Sequence, residues 1–295
     1  MVRLYSLLLF SLSVLTSSAQ EGLFDLLDEG PEPTQYTYAT FKGSKLLNGQ
    51  TNETPGKGVL QYIISHRFGS FTDEYLYNFF GLDNAHIRMQ LDYGISDRLN
   101  MGIGRSSVLK TSDAFVKYRA LRQSTGETAF PFSLTLYSSL NYRGARYTDG
   151  IAHNASDRLS YHHQAVLARK MNQNLSLIAA PSIVHWNLVP SPEDPNDSYH
   201  LMLGGRYKLT KRIALTGEYA FSSNRSYGIG ATEERFYNPM SIGVDIETGG
   251  HVFQFHLSNT RAMSDPLWMA RNPYSAANGS LFLGFNISRV FNVNQ

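Results

Sequence analysis

The stretch AHIRMQLDYGISDRLNMGIG, residues 85–104, decides how this chain folds. Ile87, Met89, Leu91, Tyr93 and Ile95 alternate with His86, Arg88, Gln90, Asp92 and Gly94. A period of two is the mark of a β-strand with one apolar and one polar face. After the short turn Ser96-Asp97-Arg98, Leu99, Met101 and Ile103 alternate with Asn100, Gly102 and Gly104. The two halves make a hairpin whose apolar face is free of charge, while its other face carries Arg88 and Asp92. A soluble sandwich buries such an apolar face against a second sheet. A transmembrane barrel turns it to lipid and keeps the charges inside.

Working outward from this hairpin, about twelve segments of near ten residues repeat the pattern between residues 58 and 291. About ten residues is the length a tilted strand needs to cross a bilayer. The connections alternate in length. Met171 to Asn174, Lys208 to Arg212 and Thr248-Gly249-Gly250 are tight, whereas 70–84, 143–157, 223–238 and 261–279 are long loops. One rim of short turns and one of long loops belongs to outer-membrane barrels. The expected fold is therefore an all-β, antiparallel, up-and-down transmembrane barrel with short periplasmic turns and long extracellular loops. An even strand count returns both ends of the barrel to the short-turn rim. Two segments break the pattern: Phe115 shares a face with Lys117 and Arg119, and Pro181 asks for a bulge or a weak edge.

Bulk composition agrees. Only 17% of the 295 residues are charged, with 17 Phe and 18 Tyr. Low charge with many aromatics suits a barrel with aromatic girdles. A net charge of +2, with no Lys/Arg run, gives no nucleic-acid signal. Cysteine is absent, which excludes disulfides, thiolate metal sites and a cysteine nucleophile. The start, MVRLYSLLLFSLSVLTSSAQ, has a basic residue, an apolar core and small residues at Ser17-Ser18-Ala19. It predicts a secretory signal over 1–19. Residues 20–57 differ from the rest: a helical turn at Leu23–Leu27, a short strand at Tyr36–Lys42 and turn signals at Asn48-Gly49 and Pro55-Gly56. They read as an extension that is either periplasmic or folded into the lumen, with a disordered leader as the alternative. The barrel itself is expected over 58–295.

Longer blocks carry a resemblance. YATFKGSKLLNGQTNETPGKGVLQYIISHRFG (38–69), FGLDNAHIRMQLDYGISDRLNMGIGRSS (80–107), NLVPSPEDPNDSYHLMLGGRYKLTKR (187–212), NPMSIGVDIETGGHVFQFHLSNTRAM (238–263) and LGFNISRVF (283–291) resemble the domain-of-unknown-function family 5777. The resemblance covers nearly the whole mature chain. It implies a β-barrel in a Gram-negative outer membrane, in contact with outer-membrane lipid, and implies no activity. The last strand, through Phe291, looks like the aromatic-ended signal read by the barrel-assembly machinery, although Asn292 to Gln295 trail behind it.

Polar faces supply the lumen candidates: Arg67, Arg88, Asp92, Arg206, Lys208, Glu218, Asp245, Glu247 and His256, with Lys117 and Arg119. Buried charges need partners, so a cross-strand ion-pair network over Arg206, Lys208, Glu218, Asp245 and Glu247 is expected. The functional alternative is a charged constriction that selects a small solute. Inward glycines, among them Gly102, Gly104, Gly204, Gly243 and Gly284, thin the wall, either for a channel or for bulky neighbours. His256-Leu257-Ser258-Asn259 resembles the His-x-Ser-Asn run of outer-membrane phospholipases. It offers a rival function, a lipid hydrolase with Ser258 as nucleophile and His256 as base. Against it, Phe253, Phe255 and Leu257 claim the lipid side and turn His256 and Ser258 inward. His162-His163 points to both faces of a strand, so it makes no metal site. Asp194-Pro195-Asn196-Asp197 reads as a turn rather than a Ca²⁺ site. No cofactor is called for.

Overall fold

The computed structural model describes residues 32–71, 76–223, 226–228 and 233–293. The signal-peptide expectation and the helical turn at Leu23–Leu27 lie outside these residues. Twelve antiparallel strands close into one barrel. They are β1 (Val59–Ser70), β2 (His86–Gly94), β3 (Leu99–Ser106), β4 (Thr111–Leu121), β5 (Ser133–Arg143) and β6 (Leu159–Lys170). Then follow β7 (Leu175–Trp186), β8 (Asp197–Lys208), β9 (Ile213–Ser222), β10 (Met240–Thr248), β11 (His251–Ser258) and β12 (Phe282–Asn292). Every strand pairs with its sequence neighbours, and β12 pairs with β1 to close the ring. Closure removes the edges that would otherwise recruit other chains.

The sequence period sets the two faces. On β2, Arg88, Gln90, Asp92 and Gly94 are buried in the lumen while Ile87, Met89, Leu91 and Tyr93 lie outside. The same alternation runs through the wall, and the outer face exposes a band that includes Ile103, Leu136, Leu203, Ile242 and Phe255. Tyrosines mark both borders of the band: Tyr93, Tyr118 and Tyr207 near the short turns, Tyr142 and Tyr199 near the long loops. An apolar belt of this extent is covered by hydrocarbon rather than water.

Both irregular segments have local causes. Phe115 faces inward and packs on Tyr137, with ring centroids 5.5 Å apart. Gly102 makes this possible, because a Cβ there would lie 2.3 Å from the Phe115 ring. Pro181 does not bring the expected bulge. It stays in register opposite Leu201, and the ladder to β6 lapses only between the pairs Gln164–Ser182 and Leu167–Ala179. The missing N–H therefore falls on the β6 side and costs local pairing, not register. Bulges occur elsewhere, at Arg119/Leu121 and at Phe282/Gly284. The strand expected over 36–42 is also shorter: Gln35–Tyr36 pairs with Ser124–Thr125.

Candidate functional site

The lumen is filled by the protein's own chain, from both ends. From the periplasmic side, residues 40–52 enter, and Phe41, Leu46, Leu47, Asn48 and Gln50 are almost fully buried. From the long-loop side, the β11–β12 connection turns inward and forms helix α1 (Asp265–Ala270), all six residues of which are buried. Ser264 in extended conformation and Pro266 in the first turn set the start of that short helix. The ends of the loop are pinned by asparagines. Asn259 Nδ2 donates to Asn238 O and Tyr274 O at 3.0 and 3.1 Å, and Asn272 Nδ2 to Tyr237 O at 3.3 Å.

Two kinds of wall receive these segments. Strands β6 to β9 present Val166, Ala168, Ile178, Ala180, Met202 and Ala220, which pack with Phe41, Leu46, Trp268 and Met269. The remaining wall is polar and binds the segments through hydrogen bonds. Glu218 accepts from the backbone N–H groups of Asn48 (2.8 Å), Gly49 (3.0 Å) and Leu47 (3.4 Å), and from Asn48 Nδ2 (2.8 Å). A carboxylate so cradled by a turn of N–H groups is a strong, charge-assisted anchor. Asn286 Nδ2 donates to Leu47 O at 2.8 Å, and Gln254 Nε2 donates to Leu46 O at 2.5 Å. Lys117 Nζ donates to the carbonyls of Ser44 and Glu53 at 3.0 and 2.9 Å.

All nine lumen candidates named from the sequence lie on the inner face, but they do not form one network. Arg88 reaches over β3 to grip Asp113 on β4 with both guanidinium nitrogens, one contact measuring 2.8 Å. Gly104 lies beneath, and a Cβ there would fall 2.2 Å from the guanidinium. Arg206 likewise reaches over β9 to Asp245 (3.1 Å) and to Glu247. These two arginine pairs thus join strands two apart, over Gly104 in one case and Thr216 in the other. Asp92 accepts from Ser44 Oγ at 3.1 Å and Gln90 Nε2 at 2.8 Å. Glu218 corrects the expected ion-pair network: it holds backbone, not a cation. Lys208 corrects it too, since it sits half-buried near the short-turn rim with no ion pair among the described residues.

Arg67 is buried without a carboxylate within 4 Å among the described residues. Its guanidinium donates to Asn48 Oδ1 at 2.6 Å, Asn286 Oδ1 at 3.3 Å and the His66 carbonyl at 2.9 Å. Asn48 therefore stands between two buried charges, accepting from Arg67 and donating to Glu218. His256 sits beside Arg67, and neither of its ring nitrogens has a hydrogen-bond partner. Gly284 gives both side chains their space: a Cβ there would lie 2.6 Å from His256 Nε2 and 2.7 Å from Arg67 Cδ. Ser258 Oγ bonds Ser241 Oγ at 2.9 Å and donates to Met240 O at 3.1 Å. The nucleophile–base contact that a hydrolase needs is not made, and both side chains face the lumen.

The 194–197 turn also disperses: Asp194 accepts from Ser191 N and Gly228 N, while Asp197 faces His185. No metal-ligand cluster occurs among the described residues.

The residues that only the structure brings forward are Lys45, Gln50, Asp265 and Trp268, where the two inserted segments meet. Lys45 Nζ lies 3.2 Å from Asp265 Oδ1. Gln50 Nε2 and Tyr137 Oη donate to Asp265 Oδ2 at 2.9 and 2.5 Å, and Trp268 Nε1 donates to Oδ1 at 3.3 Å. Burial alone would raise the Asp265 carboxyl, but Lys45, then His162, the Tyr137 hydroxyl and Arg88 together hold it below the ordinary carboxylate range.

A lipid-facing belt around a polar, self-filled lumen, with short turns at one rim and long loops at the other, defines an outer-membrane β-barrel. Within that class the chain belongs to the family described as membrane bound beta barrel domain (DUF5777), whose model matches residues 41–291. No curated protein matches the chain. Among solved structures it is similar to the COG4313 outer membrane channel from Pseudomonas putida F1, with 15% identity and a TM-score of 0.51 over 81% of this chain and 97% of that one. The NanC porin matches with 8% identity and a TM-score of 0.47, covering 78% and 98% of the two chains. A KdgM porin matches with 9% identity and a TM-score of 0.47, covering 79% and 99%.

Proposed function

We propose that this barrel is a small-solute conduit which rests closed, with residues 40–52 as its periplasmic stopper and the α1 loop as its outer one. The observation that carries it is the chemistry of the inner wall. Gln61, Ser65, Arg67, Gln90, Thr135, Asn141, Gln254 and Asn286 all face the lumen. Such groups are costly in a permanent core, where each needs a partner, but lose nothing in contact with water. A wall of this kind remains stable when the inserted segments give way to solvent. A purely structural plug would be served better by an apolar interior. The engagement of Ser258 by Ser241 and Met240, away from His256, supports a non-enzymatic role.

Planar-bilayer recording tests the proposal. The full chain should be close to silent, and variants that weaken the anchors, Glu218→Ala and Asp265→Ala, should show discrete channel openings. A folded double variant as silent as the parent would leave a structural envelope role in place of a conduit.

A further inference from the structure

At the extracellular mouth, β12 and β1, with Asn78, Gly81 and Asn84, enclose a cavity of about 400 Å³ beside the α1 loop. Arg261, Asn84, Tyr274, Asn278, Ser280 and Phe282 line it, and its lining contains no acidic side chain among the described residues. The Arg261 guanidinium has no carboxylate within 4 Å among the described residues. Neutral groups hold it instead: it donates to His86 Nε2, to Asn84 Oδ1 at 3.5 Å and to Tyr274 Oη at 3.4 Å. Acceptance by His86 Nε2 requires a neutral imidazole, with Nδ1 directed to Ser107 Oγ at 3.4 Å. The positive charge is thus positioned but not cancelled. Tyr274 and Phe282 meet edge to face, centroids 4.7 Å apart, and make an aromatic floor. The backbone fixes the far wall. Gly81, at φ +81°, packs so tightly on β1 that a Cβ would lie 2.6 Å from Gly69 O. Below the floor, one inward position down β12, Gly284 pairs with Arg67, another cation without a carboxylate within 4 Å among the described residues.

We propose that this vestibule binds small hydroxylated carboxylates. A guanidinium whose hydrogen-bond partners among the described residues are all neutral favours an anion, and its planar fork matches a carboxylate. Amide and hydroxyl groups around it answer hydroxyls on the solute, and the aromatic floor covers a carbon backbone. The cavity volume falls within the usual range of small-molecule sites, about 300–1,000 Å³. Arg67 beneath places another positive side chain on the same side of the barrel, along β12 and β1. The inference rests on the conduit reading for its purpose, but binding at the mouth is measurable on the closed barrel.

Isothermal titration of the detergent-solubilised full chain is the test, with D-gluconate as probe and D-sorbitol, which replaces the carboxylate by an alcohol, as its uncharged counterpart. Gluconate should bind about tenfold more tightly than sorbitol, the worth of one charge-assisted contact. R261Q should erase that preference, and R146Q, on an exposed loop outside the cavity, should retain it. If R261Q fails to fold, salt decides: rising sodium chloride must weaken gluconate and leave sorbitol unchanged. Equal affinity for the two probes, no binding of gluconate, or a preference unmoved by R261Q overturns the proposal. None of these results touches the bilayer recordings, so loss of the binding site and loss of the conduit are told apart.

Discussion

Lys45 Nζ and Asp265 Oδ1 stand 3.2 Å apart near the middle of the lumen, although the two residues enter from opposite sides of the barrel. Both side chains are almost completely buried. The pair is the point where the N-terminal segment and the α1 loop touch through charge, and it makes the two stoppers one body. Displacing either segment leaves the other with an uncompensated buried charge.

Removing one partner should therefore open the barrel more than removing both. Breaking a buried pair from one side costs about 3–5 kcal/mol, whereas replacing both charges by apolar groups is often near neutral. Asp265→Leu or Lys45→Met alone should raise the frequency of channel openings, and the combination Lys45→Met with Asp265→Leu should fall back toward the parent. The double-mutant cycle in open probability checks this. Additive effects would mean that the two segments move independently.

Acid should not release the latch within the ordinary carboxylate range. The folded Asp265 carboxyl titrates below the usual value of about 3.9. A depressed folded value contributes stability that is fully present above the unfolded value and is lost as pH falls through the folded one. Between neutral pH and about 4 the Asp265 carboxylate should stay ionised and its contact with Lys45 intact, with loosening of this contact only at more acidic pH. Trp268, whose indole donates to Asp265, reports on this by fluorescence. Trp186 is the second tryptophan of the chain, so W186F isolates the signal.

How much of this was legible in the sequence differs between wall and contents. The strand period, the turn lengths and the inner face of Arg67, Arg88 and Glu218 are local properties, readable from residue spacing. What fills the lumen is not local. Asn48-Gly49 reads as a turn, and nothing in its neighbourhood announces that a glutamate 169 or 170 residues away takes its N–H groups. The α1 loop did leave a trace: Leu267-Trp268-Met269-Ala270 is an apolar run in a loop, preceded by Ser264-Asp265-Pro266. Spacing along a strand gives the face of each charge but not its partner, and Arg88–Asp113 and Arg206–Asp245 skip a strand. Long arginine side chains over Gly104 and Thr216 account for that reach.

Glu218→Gln should loosen the stopper without unfolding the wall. The amide keeps one accepting oxygen but loses the charge, and a hydrogen bond to a charged group is worth about 1.5–3 kcal/mol. Amide hydrogen exchange should accelerate at Asn48 and Gly49, while exchange in the β9–β10 ladder stays slow. Uniform acceleration through β9 and β10 would instead make Glu218 a wall-stability residue.

Gly49 is a contact that only the absence of a side chain permits. A Cβ there would lie 2.0 Å from Met202 Sδ, and Met202 is fully buried. Gly49→Ala should cost about 1–3 kcal/mol by overpacking and push residues 40–52 out of the lumen. Pairing it with Met202→Ala should restore the fit. Limited proteolysis of the N-terminal segment reads both: faster cleavage in the single variant, parental rates in the pair. Equal rates in all three would mean that Met202 gives way unaided.

Ile242 tests what covers the outside. It is 62% exposed on the outer face of β10, two residues from its first residue Met240, opposite Gly217 and Leu257 on the flanking strands. In a bilayer, an arginine on the lipid face of a barrel costs up to about 2–4 kcal/mol, most at the midplane. In water, the same change on an exposed strand position falls within about 0.5 kcal/mol of neutral. Ile242→Arg should therefore lower the urea midpoint of the barrel folded into lipid vesicles. Ser241→Arg, one residue along and facing the lumen, should instead collide with Asn48 and Ser258 and disturb the stopper. An Ile242→Arg barrel as stable as its parent in vesicles would mean that the apolar belt does not face hydrocarbon.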